Sequence, residues 1–393
     1  MERRRVVITG ISAITPLGLD AASSWQALLA GKSGIERITL FDTTGYDTHI
    51  AGEVKGFRPE DVIPAKVCKR MDRFVQFAVC GADQLMKDSG YSIDEQNAEN
   101  TGVILGVGLG GLHTIEVFHS RLVEAGPSRV SPFFIPMLIS NMAPGRVEIN
   151  PGAKGTNLLL PSACASSLHA ITITPMGISG FTSMKALCTQ YDETPHKASR
   201  PFDLTRAGFV MGEGAAMLML ESLDSARARG AKIYAEIVGF GASDDAYHMV
   251  APLETGAGAA SAMRRALKDA GLSPEKIRHI SAHGTSTHAN DAGETRAIKA
   301  VFGKHAYDIA VCASKSQIGH MLGAAGGAAS VFTVLALQSG MVPGTINLET
   351  PDPECDLDYM SDGPKKLDPE YAMVNAFGFG GTNASIVYKR FED

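Results

Sequence analysis

Two stretches of this chain follow one plan, and that duplication limits the possible folds more than any other feature. The first is 156–172, TNLLLPSACASSLHAIT. It reads as an apolar run of strand length, a turn at Pro161-Ser162-Ala163, and a small-residue segment of helical character opening at Cys164. The second is a strand, Ile309 to Ala313, a loop, Lys315 to His320, and a long alanine-rich helix, Leu322 to Gln338. A strand at 215–220 corresponds to one at 385–388 in the same way. Strands alternating with helices imply a largely parallel or mixed sheet covered by helices, an α/β fold. The duplication divides it into two halves, residues 1–230 and 231–393.

The copies disagree at one place. The second helix runs about seventeen residues, and a strand (371–375) precedes the closing hairpin turn. After Cys164 the helical segment lasts about two turns before Thr174-Pro175 ends it, and no strand follows. The first half is therefore short of half a helix and one strand.

Cysteine at the bend of a strand–turn–helix sits beside free backbone N–H groups and a helix N-terminus. That setting lowers a thiol pKa and makes the thiolate a nucleophile near neutral pH. A random cysteine is more often inert and buried, so Cys164 gains weight only from its company. His283 ends a strand in Ala282-His283-Gly284-Thr285-Ser286-Thr287. His320 closes the loop Lys315-Ser316-Gln317-Ile318-Gly319-His320 between a strand and a helix. Open α/β sheets place their sites at the C-terminal edges of strands, so Cys164, His283 and His320 are expected to converge. The loop Asn375 to Asn383, NAFGFGGTN, reads as a hairpin turn that can aim a backbone N–H at an oxyanion, with Phe379 as an apolar gate. His283 and His288 are five apart in a loop with no third ligand, a poor metal site; no metal or cofactor is expected.

Other motifs carry less. Gly106-Val107-Gly108-Leu109-Gly110-Gly111 contains GxGxxG, but no acidic residue ends the next strand, so a close-packed turn with Leu109 lining an apolar tunnel fits better than a dinucleotide site. Lys66, Lys69, Arg70 and Lys185 form a docking patch for an acidic partner or a solvated face. The net charge of −6 argues against a general nucleic-acid binder. Six cysteines without CxxC spacing read as free thiols of an intracellular protein. Gly10 and Pro16-Leu17-Gly18 interrupt the early apolar run, and no other run has transmembrane length, so a soluble, cytoplasmic protein is expected.

Taken together, Ser162-Ala163-Cys164-Ala165-Ser166, Arg200-Pro201-Phe202-Asp203, Gly208-Phe209-Val210-Met211-Gly212-Glu213-Gly214, Asp245-Ala246-Tyr247-His248-Met249, the two histidine loops and FGFGGTN resemble the β-ketoacyl-[acyl-carrier-protein] synthase II enzymes, which elongate fatty acids. The resemblance runs nearly end to end. It implies a thiolase-like fold, a five-layered αβαβα core of two pseudo-repeated halves, a homodimer, and acyl carrier protein as partner. It also implies roles. Cys164 takes the acyl chain as a thioester, and His283 and His320 stabilise the enolate formed by decarboxylating malonyl carrier. Lys315 orders the site, and the N–H groups of Cys164 and Phe379 form the oxyanion hole. Thr285 and Thr287 bind the pantetheine arm. Leu109, Phe133, Phe134 and Phe377 border the acyl chain, Phe133 or Phe134 across the dimer. Lys66, Lys69, Arg70 and Lys185 dock the carrier.

Three departures stand out. The segment between Ile171 and Thr174 is about twenty residues shorter than in the family, the same gap that the internal comparison exposes; the intact protein is expected to contain it, since losing a core strand costs more than a domain's marginal stability. Ala329 stands where members usually carry a glutamate near the active-site lysine. Ala165 replaces a hydroxyl residue found in some members. Competing readings are a catalytically impaired partner or scaffold, a polyketide ketosynthase, and a thiolase acting on coenzyme A esters. The last usually has a second cysteine in the C-terminal loop, where this chain has Phe379 and glycines.

Overall fold

The computed structural model describes residues 4–149, 151–161 and 172–392. In chain order its main elements begin with β1 (Val6–Ile14), α1 (Arg73–Ser89), β2 (Val103–Leu105), α2 (Leu112–Ala125), α3 (Met142–Ile149) and β3 (Asn157–Leu159). Next come α4 (Pro175–Ser183), β4 (Ala215–Ser222), β5 (Ala235–Asp244), α5 (Ala257–Ala270), β6 (Ile277–Ser281) and α6 (His288–Phe302). The chain ends with β7 (Ala310–Cys312), α7 (Ala325–Ser339), β8 (Tyr371–Gly378) and β9 (Thr382–Arg390).

One seven-stranded sheet runs β4-β1-β5-β9-β8-β6-β7, while β2 and β3 pair separately. The β6–β7, β6–β8 and β2–β3 pairs are parallel; β8–β9, β9–β5, β5–β1 and β1–β4 are antiparallel. The hairpin expected around FGFGGTN is present, with strands longer than its β-branched cores. Pairing continues to Gly378 opposite Thr382, leaving Phe379, Gly380 and Gly381 as the turn.

Three cores order the layers. Helix α7 is apolar on nearly every side and is the centre of one core, meeting Ile8, Ile11 and Ala13 of β1, Ala216 of β4, Val374 of β8 and Tyr388 of β9. A helix hydrophobic all round must be buried all round. Leu322–Ser339 is long and apolar enough to cross a membrane, but it is 83% buried inside the protein. On one outer side α5 and α6 pack on Ile280 of β6, Val311 of β7, Met373 of β8 and Val387 of β9. On the other, α1 and α3 pack on Leu105 of β2 and on Ala215 and Met217 of β4. Helix, sheet, helix, sheet, helix is the resulting sequence of layers.

Some boundaries differ from the periodicity. Helical periodicity runs from Val67 to Ser89, but the helix is broken: a short turn at Ala65–Cys68 precedes α1, which begins at Arg73. Asp72 makes the break. Its carboxylate accepts from Phe74 N and from Thr114 N and Oγ1, so it caps α1 and ties it to α2. The apolar stretch Pro132-Phe133-Phe134-Ile135-Pro136 leads into a helical turn, Phe134–Leu138. The first strand of the second half, β5, starts at Ala235, two residues after the apolar run opens at Ile233.

Candidate active site

His283 follows the end of β6, where Ala282 N still donates to Cys312 O of β7 at 2.8 Å. Its main chain is held from below by α6. The Glu294 carboxylate accepts from His283 N at 2.9 Å and Gly284 N at 2.8 Å, and also from Asn375 Nδ2 at 3.2 Å. Asn375 Oδ1 in turn accepts from Ser385 Oγ, so β8 and β9 belong to the same clasp. Glu294 is fully buried, and burial pushes its carboxyl up against the pull of three donors. At Gly284 φ is +38°, and a Cβ would meet the Ala313 methyl at 2.6 Å, so only glycine fits.

The rest of this loop is fastened by Arg206, itself 1% exposed at its side chain. It donates to Thr287 O and His288 O at 3.2 Å each, and to Asp352 Oδ2 at 2.6 Å. Arg200 of the RPFD motif contributes its backbone N–H to Ser286 Oγ, while its side chain pairs with Asp203 at 3.0 Å. That arginine and four further donors hold the Asp203 carboxyl far below its usual range, with burial opposing. RPFD is thus a clasp beneath the His283 loop, not part of the cavity lining.

His320 is placed by the Gly208–Gly214 segment. Its N–H donates to Val210 O at 2.7 Å, and its carbonyl accepts from Gly212 N at 2.9 Å. Its Nδ1 accepts from Leu322 N at 3.2 Å. With Nδ1 acting as acceptor, the neutral ring carries its proton on Nε2. Nε2 is buried and has no hydrogen-bond partner among the described residues, and the same holds for Nδ1 of His283.

The two imidazoles meet edge to face, centroids 5.4 Å apart at 85°. Phe377 lies 5.6 Å from His283 and Phe209 5.4 Å from His320. Both rings are held neutral: burial lowers their pKa values well below the ordinary range, and the nearby Lys315 charge lowers them further. They border a cavity of about 360 Å³ together with Thr285, Thr287, Phe377, Phe379 and Lys185. The Thr285 and Thr287 hydroxyls are 2.9 Å apart. The Phe379–Gly381 turn is fastened to the 245–253 loop: Gly380 N donates to Met249 O, Asp245 N to Gly381 O, and Asn383 Nδ2 to Asp245 Oδ1.

Not every residue singled out in the sequence joins this cavity. Lys315 is buried beside it, its carbonyl accepting from Ser199 Oγ. Leu109 is 43% exposed and Phe133 and Phe134 are half-buried; none of the three lines the cavity. Phe133 lies under the Arg70 guanidinium at 4.3 Å, and Phe134 packs on Phe118. Lys66, Lys69, Arg70 and Lys185 are all exposed. Ala329 is a core methyl of α7. Cys164 and Ala165 lie outside the described residues. The GxGxxG turn packs against protein backbone rather than a phosphate: a Cβ at Gly111 would strike Met137 O at 2.5 Å.

Glu294, Arg206 and Asn375 escaped the sequence reading. Glu294 had a signal, an acid eleven residues after His283 on a helix that is otherwise buried there. Arg206 had none, since its partners come from segments up to 146 residues away.

A family model described as the N-terminal domain of beta-ketoacyl synthase matches residues 3–174 and again 170–226, and the C-terminal domain model matches 234–349. The 3-oxoacyl-[acyl-carrier-protein] synthase 2 of Synechocystis sp. is 48% identical over 414 aligned positions, covering 100% of this chain and 99% of the relative. That of Coxiella burnetii is 47% identical over 415 positions, covering both chains fully. Among solved structures, a Burkholderia phymatum beta-ketoacyl synthase superposes with a TM-score of 0.91 at 32% identity, covering 99% of this chain and all of that one. A type II polyketide ketosynthase in complex with its acyl-carrier protein gives 0.92 at 29%, with full coverage of both.

Proposed function

The chain belongs to the beta-ketoacyl synthase family, and on that premise we propose that it is an elongating condensing enzyme, a 3-oxoacyl-[acyl-carrier-protein] synthase of fatty-acid synthesis. The observation that carries this reading is the pair of buried, neutral imidazoles facing one cavity, with a His320 Nε2–H that has no partner among the described residues.

In the first half-reaction the Cys164 sulfur attacks the thioester carbonyl of an acyl carrier. The pantetheine thiol leaves with the proton, and the acyl chain stays on the enzyme. In the second, malonyl carrier enters, its thioester carbonyl taking hydrogen bonds from His283 and His320. The bond to the carboxylate breaks, carbon dioxide departs, and the electron pair forms an enolate whose oxygen these donors stabilise. Neutral rings suit this step, because an imidazolium would surrender its proton to the carbanion. The α-carbon attacks the acyl-enzyme carbonyl, the N–H groups of Cys164 and Phe379 hold the oxyanion, and the Cys164 thiolate leaves to give the 3-oxoacyl carrier.

Thr285 and Thr287 suit a pantetheine amide by position and chemistry. Lys66, Lys69, Arg70 and Lys185 offer an exposed positive surface to an acidic carrier. Leu109, Phe133 and Phe134 would border the acyl chain at the interface of a homodimer. The test is Cys164→Ala assayed with acyl and malonyl carriers: transacylation is expected to vanish, and a variant that still forms a covalent acyl-enzyme would overturn the assignment.

A further inference from the structure

One residue of the His283 loop is held in a backbone conformation that its side chain disfavours. Ser286 has φ +69°, in the left-handed region that glycine enters freely and serine only with strain. It is 0% exposed, and it lies between Thr285 and Thr287, which border the cavity while Ser286 does not. Such a conformation persists only where the surroundings over-determine it.

Three contacts do so here. The Ser286 carbonyl accepts from Gly208 N at 3.2 Å, and its Oγ accepts from Arg200 N at 3.0 Å. Its own N–H donates to the buried Asp291 carboxylate of α6, which also accepts from Phe202 N at 2.9 Å. Arg200, Gly208 and Asp291 all lie outside the loop. Gly208 opens the segment whose Val210 O and Gly212 N hold His320, so Ser286 ties the His283 loop to the support of the second histidine.

The left-handed turn changes what its neighbours present. An extended residue at 286 would leave the Cα atoms of Thr285 and Thr287 ~6.6 Å apart. A left-handed one draws them together, and their hydroxyls stand 2.9 Å apart, within bonding distance. One O–H is used in that bond. The pair keeps one O–H to donate and free lone pairs to accept. That is the complement of a secondary amide, whose carbonyl accepts and whose N–H donates.

Resting on the reading that this cavity takes a pantetheine thioester, we propose that Ser286 is a positioning residue for the carrier arm. Its fastened left-handed backbone sets the Thr285 and Thr287 hydroxyls as one unit, which grips a single amide of that arm.

The test follows acylation of Cys164 by intact-protein mass, from hexanoyl pantetheine and from S-ethyl hexanethioate, which carries the same acyl group without an amide. The ratio of the two second-order rate constants is the preference for the arm. Loss of stability cancels from it, because both esters meet the same folded molecules. Thr285→Val breaks the pair outright and is expected to lower the preference ~10-fold. Ser286→Ala removes the hydroxyl facing Arg200 N and keeps the steric bar to a left-handed backbone, with an expected fall of ~3- to 10-fold. Ser286→Gly removes the same hydroxyl but adopts the turn freely, and its preference is expected within ~2-fold of the parent's. A serine with only a structural role would not put alanine below glycine in this ratio. Equal preferences for Ser286→Ala and Ser286→Gly, with Thr285→Val lowered, would overturn the proposal and leave the functional reading standing. Thr285→Val at the parental preference, or a parent acylated by neither ester, would overturn that reading and the proposal with it.

Discussion

His320 accepts a hydrogen bond from Leu322 N through Nδ1, and that bond decides what the ring can offer a substrate. The proton is confined to Nε2, and burial beside Lys315 keeps the ring from taking a second one. Replacing His320 by alanine is expected to slow condensation ~10²- to 10³-fold, the usual cost of one donor to a developing oxyanion, while acyl transfer to Cys164 continues. Rapid-quench measurement of acyl-enzyme beside steady-state condensation distinguishes the two; equal loss of both would refute the division of labour. Glu294 acts at the same scale on His283. Glu294→Ala strands two buried main-chain N–H groups and is expected to cost about 2–5 kcal/mol in urea unfolding. Glu294→Gln keeps one acceptor oxygen and should lose less. If the two variants unfold alike, the carboxylate is not the clasp described.

At the scale of elements, the helices are set by caps and by backbone contact. Asp72 caps α1 and also holds Thr114 of α2, so Asp72→Ala removes a cap and leaves Thr114 unpaired; the expected loss is about 2–4 kcal/mol by chemical denaturation. The same aspartate ended the helix that periodicity runs through from Val67. Hydrophobic spacing reports which face is buried; it does not report where a side chain outcompetes the backbone for an N–H. Helix α5 lies so close to β5 that a Cβ at Gly241 would sit 2.1 Å from Ala262 O. Gly241→Ala must push the helix outward and is expected to cost about 1–3 kcal/mol, more if the sheet resists. A variant of parental stability would show that the contact is not as close as drawn.

For the whole molecule, three histidines folded neutral in the interior couple stability to pH. His279 donates Nδ1–H to Ala310 O, and burial lowers its pKa to about 4. The unfolded chain takes up that proton near pH 6.5, the folded chain only near 4. The unfolded state thus binds more protons across this window, and folding weakens as pH falls through it, by about 1.4 kcal/mol per unit for this residue. His279→Asn keeps a donor toward Ala310 O and removes the titration, so its unfolding free energy is expected to fall less steeply than the parent's between pH 6.5 and 4. Identical slopes would mean that His279 is protonated in the folded state.

Much of this protein was legible before any coordinates. The alternation of strand and helix, the hairpin around FGFGGTN and the two histidine loops follow from local pattern, because period and turn chemistry are properties of short segments. The tertiary structure alone decided that His283 and His320 face each other across 5.4 Å, that Glu294, Asn375 and Arg206 hold the His283 loop, that Val210 and Gly212 hold His320, and that RPFD is a clasp beneath the site. The long-range contacts among these join segments 37 to 110 residues apart. A single chain's spacing carries no record of such distances, since only burial in a common core brings the groups together.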